Sequence, residues 1–250
     1  MKILIYFAKS LGGTERYFSS LKELLILKGH KVKTYYEMPG IEIRSLFFKP
    51  SKIEKLIEIA NDFDVVISDG FLGGFFPKLK VPLIVVAFHV YSQDYLKKYC
   101  NFFKRIYYKI SIEPFLRKTF NKANLIIAIS KAARESLLEE FRVVKKDQVH
   151  TVYPGINLDK FNYKNLYKGE KNKNRINLLF VGNLIKRKGV DLLPRILDLL
   201  PENYILRYIG GKRTNRRIKH KRAIRVEAPN DRELIKEYQN YLLKQELILI

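Results

Sequence analysis

The chain has no tryptophan, two methionines and one cysteine, Cys100, in 250 residues. A lone cysteine excludes an internal disulfide and any cluster of thiolate ligands, and it agrees with a reducing compartment. No uncharged apolar run reaches the roughly 18 residues that a membrane-spanning helix needs. The longest, Val81–Val90, contains Pro82 and His89. The opening MKILIYFA is too short for the apolar core of a signal peptide and reads as a buried strand, so a cytoplasmic protein is expected. The dinucleotide pattern GxGxxG is missing, which argues against an NAD-dependent dehydrogenase, and so is the phosphate loop GxxxxGK[ST]. Acidic residues are also scarce, with 25 Asp and Glu against 48 Lys and Arg, a net charge of +23. At 47% hydrophobic residues and a mean hydropathy of −0.19, disorder and collagen-like repeats are excluded. What is present is a folded, basic chain whose length falls between one and two ordinary domains.

Short β-branched runs alternate with helix-length amphipathic segments. Ile3–Phe7, Lys31–Tyr36, Val65–Ser68, Leu83–Phe88, Leu125–Ile129 and Gln148–Val152 read as strands, and runs apolar on successive residues belong in a parallel sheet covered on both faces. Thr14–Lys28 reads as a helix, with Glu15 in its first turn and Gly29 after its end. Residues 1–156 therefore form an open, doubly wound α/β domain that places ligands at the carboxyl ends of its strands. Residues 157–175, rich in Lys and Asn, read as a linker. The alternation restarts with strands Leu178–Val181, Ile205–Ile209, Ala223–Val226 and Leu247–Ile250 and helices near Val190–Leu200 and Asp231–Lys244. The expected architecture is two Rossmann-like domains with parallel sheets, the second, residues 176–250, incomplete.

Gly12-Gly13 lie between the first strand and a helix. Either they form a tight turn that needs positive φ, or they bring backbone N–H groups and a helix start to an anion or sugar oxygen. Gly182-Asn183-Leu184-Ile185-Lys186-Arg187-Lys188-Gly189 follows a second-domain strand. Its cations suit a diphosphate clamp, and the plainer reading is a solvated basic loop. His89 ends the fourth strand, where this fold places ligand groups, although a lone histidine is more often structural. Ser130 is an N-cap candidate. Asp62-Phe63-Asp64 matches a DxD metal signature but precedes its strand, so it reads as a helix-to-strand turn.

Two segments concentrate the cations. Leu96–Lys122 interleaves eight Lys and Arg, among them Lys97, Lys98, Lys104 and Arg105, with seven aromatic residues. This composition suits an anionic membrane surface, or a helix pair whose aromatics pack inward. Lys212–Arg225 holds eight Lys and Arg and no acid. It suits nucleic-acid phosphates but lacks aromatics for base stacking, so a solvated loop is preferred and nucleic acid is not the expected partner.

Taken in order, GGTERY, AFHVYS, IIAISKAARESL, HTVYPGINLDKF and LLFVGNLIKRKGVDLL resemble the family-4 glycosyltransferases of the GT-B fold. That resemblance implies a nucleotide-sugar donor, UDP- or GDP-linked, held mainly on the second domain, an acceptor on the first, and transfer with retention of configuration without a metal or other cofactor. By position, Gly12 and Gly13 would approach the donor's phosphates or sugar, His89 would hydrogen-bond the sugar, and Gly182, Asn183, Arg187 and Lys188 would hold the diphosphate. Lys188 would neutralise the charge that develops on it as it leaves. The family has arginine where this chain has Asn183, with Lys186 or Arg187 compensating. Glu15, Arg16, Lys97, Lys98, Lys104 and Arg105 fall on the acceptor or membrane side, which implies a lipid-linked acceptor and a peripheral location on the inner membrane face. The family continues past a strand like Leu247–Ile250 into a Glu-rich motif. A fragment, a split gene whose partner chain completes the domain, or a decayed, non-catalytic subunit are the expectations that follow, with low activity alone.

Overall fold

The computed structural model describes residues 1–9, 12–37, 50–77, 79–88, 97–142, 144–155, 175–210, 216–226 and 248–249. His89, nearly all of the predicted linker 157–175 and the predicted helix Asp231–Lys244 lie outside them. The chain forms two compact units, Met1–Pro154 and Gly155–Ile250.

The first unit is built on a six-stranded, wholly parallel sheet of order β2-β1-β3-β4-β5-β6. Its strands are β1 (Lys2–Ala8), β2 (Lys31–Glu37), β3 (Val65–Asp69), β4 (Leu83–Ala87), β5 (Leu125–Ala128) and β6 (Val149–Thr151). Side chains alternate across the sheet with a period of two. Ile3, Ile5 and Phe7 of β1 therefore pack with Phe18 of helix α1 (Gly13–Leu27) on one face. Leu4 and Tyr6 pack on the other with Leu56 of α2 (Pro50–Asn61), Phe120 of α4 (Glu113–Lys122) and Leu137 of α5 (Lys131–Glu140). Both faces are apolar because both are covered, the condition under which parallel strands read as unbroken hydrophobic runs. Ser130 caps α5, accepting the Ala133 N–H at 3.1 Å.

The basic-aromatic stretch is more continuous than its sequence suggests. Helix α3 (Phe102–Tyr107) passes through a π-helical turn, Tyr108–Ile112, directly into α4. Pro114 has no N–H to offer the carbonyl of Ile110, and the widened turn sits where the α ladder is interrupted. Gly74 packs beneath α4 so closely that a Cβ there would come within 2.6 Å of Thr119 Oγ1.

A buried carboxylate fixes the carboxyl edge of this sheet. Asp69, the last residue of β3, accepts the N–H of Ala8 at the end of β1 (2.9 Å) and those of Phe71 and Leu72 (2.8 Å each). It thus joins two neighbouring strand ends and shapes the turn that follows β3. Ser68 adds a 2.8 Å bond from its hydroxyl to the Tyr6 carbonyl. Asp64 is likewise structural: its carboxylate accepts the Lys2 N–H at 2.7 Å, in keeping with a helix-to-strand turn.

The second unit carries four parallel strands in the order β10-β7-β8-β9. They are β7 (Ile176–Val181), β8 (Tyr204–Ile209), β9 (Ala223–Arg225) and β10 (Ile248–Leu249). Leu178, Phe180, Leu206 and Tyr208 pack with Leu193 and Leu197 of helix α6 (Leu193–Leu199) and with Ile218. This helix starts later than the expected Val190. Gly189 ends the preceding turn in the left-handed conformation (φ 71°), and Pro194 has no N–H and fits only a first turn.

Burial pushes the Asp69 carboxyl above its usual range, and its three backbone hydrogen bonds act in the opposite sense. A raised native pKa means that the group's contribution to stability is fully present below its unfolded value and declines as pH rises through its folded value. Asp69→Asn should lower unfolding free energy by about 1–3 kcal/mol through the lost acceptor. The gap to the parent, followed by urea denaturation, should narrow as pH rises from the ordinary aspartate pKa; a gap that widens would show the hydrogen bonds to dominate.

Candidate functional site

In open α/β sheets ligands bind outside the carboxyl ends of the strands, where the strand order reverses. In the first unit that point lies between β1 and β3, where Asp69 sits. The chain leaves β1 there and enters α1 through Gly12 and Gly13. Of the two readings left open for this pair, the positive-φ turn is not the one that forms: Gly12 is the N-cap with φ −149°, an extended conformation open to any residue. Gly13 is exposed, and a Cβ on it would meet nothing within 4 Å. Neither backbone geometry nor packing within the described residues calls for glycine at 13, and what its missing side chain leaves is space at the start of a helix. No side chain caps this end. Glu15, in the first turn, has a buried Oε2 without a hydrogen-bond partner among the described residues, while Arg16 is exposed. Phe88, the last described residue before His89, packs edge-on against Tyr17 of α1 at 5.1 Å between ring centroids.

The cations assigned to the acceptor or membrane side lie on another segment. Lys97 and Lys98 belong to an exposed helical turn. Lys104 and Arg105 belong to α3, whose start is capped by Asn101 accepting the Lys104 N–H at 3.0 Å. The aromatics divide. Tyr108, Phe115 and Phe120 turn inward, with Phe115 packed on Phe71 and Phe75. Phe102, Phe103, Tyr107 and Ile110 are 61%, 79%, 61% and 70% exposed. An inward-packed helix pair therefore accounts for only half of this segment.

In the second unit, the loop leaving β7 is held by three glycines. The Gly182 N–H donates to the Ile209 carbonyl at 2.9 Å, and Gly210 lies so close that a Cβ there would stand 1.8 Å from the Gly182 carbonyl oxygen. Only glycine fits at 210 without a shift of backbone. Asn183 is exposed, and its carbonyl accepts the Ile185 N–H at 2.8 Å. Lys186, Arg187 and Lys188 then form a single 3-10 turn, closed by the Lys188 N–H on the Ile185 carbonyl and the Gly189 N–H on the Lys186 carbonyl, both at 2.9 Å. Leu184 anchors the loop from below, 2% exposed. The three cations thus stand on the solvent side of a tightly wound turn at the carboxyl edge, a concentration of positive charge suited to a polyanion.

Three features of these edges were not apparent in the sequence. Asp69 follows VVIS as an ordinary Asp-Gly turn. Gly189 is needed for its positive φ of 71°. Gly210-Gly211 after β8 was a readable pair but carried no motif. The basic run Lys212–Arg225 also divides: the Arg222 guanidinium caps α6, donating to the carbonyls of Leu197, Leu200 (3.1 Å), Pro201 (2.5 Å) and Tyr204 (3.4 Å), and His220 and Lys221 meet Asp198 and Glu202. Among the described residues no three His, Cys, Asp or Glu side chains stand close enough to share a metal ion.

Comparison with known proteins adds three findings. The family model described as Glycosyltransferase Family 4 matches residues 11–160. An uncharacterized glycosyltransferase of Methanocaldococcus jannaschii is 31% identical over 195 residues, which cover 70% of this chain and 46% of the relative, so the chain spans less than half of that protein's length. Two solved structures share the fold. Anabaena HepE in complex with UDP superposes with a TM-score of 0.57 at 15% identity, over 100% of this chain and 69% of that one. An alpha-glucosyltransferase in complex with UDP and a 13-mer DNA gives a TM-score of 0.62 at 14% identity, over 96% and 70%.

Proposed function

The chain belongs to glycosyltransferase family 4 and has the parallel α/β architecture of the GT-B enzymes, and from that premise we propose that it binds a UDP- or GDP-linked sugar and takes part in retaining transfer of that sugar to an acceptor. The observation that carries this reading is the exposed turn Lys186–Lys188, fixed at the carboxyl edge of β7 by Gly182, Gly189 and Gly210. When the anomeric carbon–oxygen bond to the diphosphate breaks, negative charge grows on the departing phosphate. A fixed cation there stabilises the transition state more than the ground state, which is what accelerates the step. Lys188 has this role, with Arg187 and Lys186 alongside in place of the arginine that the family carries at the position of Asn183. The acceptor hydroxyl forms the new bond on the same face, its proton passing to a phosphate oxygen, so no metal, cofactor or separate base is needed. In the first unit, the space that Gly13 leaves at the start of α1 and the buried Glu15 oxygen, which has no hydrogen-bond partner among the described residues, support a hydroxyl-bearing ligand at that edge. UDP and UDP-glucose complexes of HepE support a uridine donor.

The exposed face of α3 and its π turn supports an acceptor presented at an anionic bilayer. Phe102, Phe103, Tyr107 and Ile110 are the apolar groups to insert, and Lys97, Lys98, Lys104, Arg105 and Lys109 surround them with no acid before Glu113. No helix among the described residues is long and apolar enough to cross a membrane. A peripheral location on the inner membrane face follows from this reading.

Calorimetric titration with UDP-glucose and GDP-mannose should show saturable binding of at least one donor, weakened about tenfold to a hundredfold in Lys188→Ala, as expected for a lost charge-assisted phosphate contact. No binding of either nucleotide sugar, or equal affinity in the variant, would contradict the assignment.

Cosedimentation with phosphatidylglycerol vesicles should be at least about tenfold weaker for the double variant Phe102→Ser, Phe103→Ser, whose two rings would otherwise leave water. Equal sedimentation of parent and variant would remove the bilayer from the account.

A further inference from the structure

The carboxyl edge of the first sheet holds a fixed cation that the diphosphate turn of the second unit does not include. Lys9 follows β1 directly, and its N–H donates to the Glu37 carbonyl at 2.9 Å, which carries the pairing of β1 with β2 past the end of the strand. Its ammonium stands over the ring of Tyr36, 4.4 Å from the centroid. That ring is held in turn. Tyr36 pairs in register with Phe7, the two ring centroids lie 6.3 Å apart, and Phe7 stacks on Phe18 of α1 at 5.0 Å. Strand β2 is the outer strand of this sheet, and Tyr36 is 49% exposed there.

The carboxyl groups of this edge do not neutralise Lys9. Glu37 is buried and accepts hydrogen bonds from the Tyr6 hydroxyl (3.2 Å) and from Lys52 Nζ (2.7 Å). Asp69 accepts the N–H groups of Ala8, Phe71 and Leu72. Glu15 of α1 forms no ion pair with Lys9, and among the described residues no other acid does. An aromatic face attracts a cation without cancelling its charge. Lys9 therefore presents a whole positive charge where open α/β sheets bind their ligands, with backbone and side chain already held, so little freedom is lost when an anion arrives.

We propose that Lys9 and Tyr36 recognise an acidic sugar, so that the acceptor taken by the first unit carries a carboxylate or phosphate group. The acidic group sits on Lys9 Nζ, and the exposed part of the Tyr36 ring packs on the C–H groups of the sugar. That this ligand is an acceptor rests on the glycosyltransferase reading; its charge rests on Lys9.

Ligand-observed NMR titration of the full chain with glucose 6-phosphate, glucuronate and glucose provides the test. At least one of the two acidic sugars should bind about tenfold more tightly than glucose, and which one does so distinguishes phosphate from carboxylate. Lys9→Met should abolish that preference, Lys9→Arg should retain it, and Tyr36→Ala should weaken the acidic sugar about threefold or more. Inorganic phosphate should compete about tenfold less well than the acidic sugar. The affinity for UDP-glucose or GDP-mannose should stay within about twofold in Lys9→Met, and Lys188→Ala should leave the acidic sugar's affinity unchanged. Equal binding of acidic and neutral sugars, no binding of either acidic sugar, an unchanged preference in Lys9→Met, equal competition by inorganic phosphate, or loss of the acidic sugar in Lys188→Ala would overturn the proposal. A chain that binds an acidic sugar through Lys9 but no nucleotide sugar would contradict the glycosyltransferase reading and uphold the Lys9 site.

Discussion

The carboxyl group of Asp69 is buried, and the N–H groups of Ala8, Phe71 and Leu72 that converge on it are themselves at the ends of strands and the start of a turn. A buried polar group left unmatched is costly, so each partner fixes the other. The result is a rigid carboxyl edge at the point where the strand order of the first sheet reverses, from which Gly12 and Gly13 enter α1. The second unit meets the same requirement with different chemistry. There the ends of β7 and β8 approach until the Gly210 Cα lies against the Gly182 carbonyl, a contact that any side chain at 210 would block. In both units the carboxyl edge is positioned by a contact between the ends of two neighbouring strands.

The large positive charge resolves into separate tasks. Arg222 terminates α6, Lys52 pairs with the buried Glu37 at 2.7 Å, and Lys122 donates to the carbonyls of Gly74 and Phe76, binding α4 to the turn below it. These cations are structural. Lys186–Lys188 stand on a turn that leaves them facing solvent, Arg216, Arg217 and Lys219 line a cleft, and the cations around α3 accompany exposed aromatic rings.

Many of the strands were legible because parallel strands buried on two faces give continuous apolar runs, and β1, β3 and β4 show this directly. The capping role of Ser130 was legible for the same local reason. What could not be read depended on contacts far apart in sequence. Asp69 looks like any turn aspartate until Ala8 is brought beside it by strand pairing, and Gly210 looks optional until β8 lies next to β7. The π turn at Tyr108–Ile112 has a local cause in Pro114, yet the split of aromatics into an inward and an outward set is decided by the Gly73-Gly74 turn packing under α4. At Gly12 the sequence left a positive-φ turn and an anion-facing helix start both open, and the backbone is ordinary.

The central claim is that a nucleotide sugar's diphosphate is held at the carboxyl edge of β7 by the turn ending in Lys188. A crystal structure of the chain with the nucleoside diphosphate of whichever donor it binds tests this most directly. The account predicts phosphate oxygens within hydrogen-bonding distance of Lys188 Nζ and beside the backbone of Gly182. A diphosphate seated elsewhere, with the Lys186–Lys188 turn left to solvent, would contradict it.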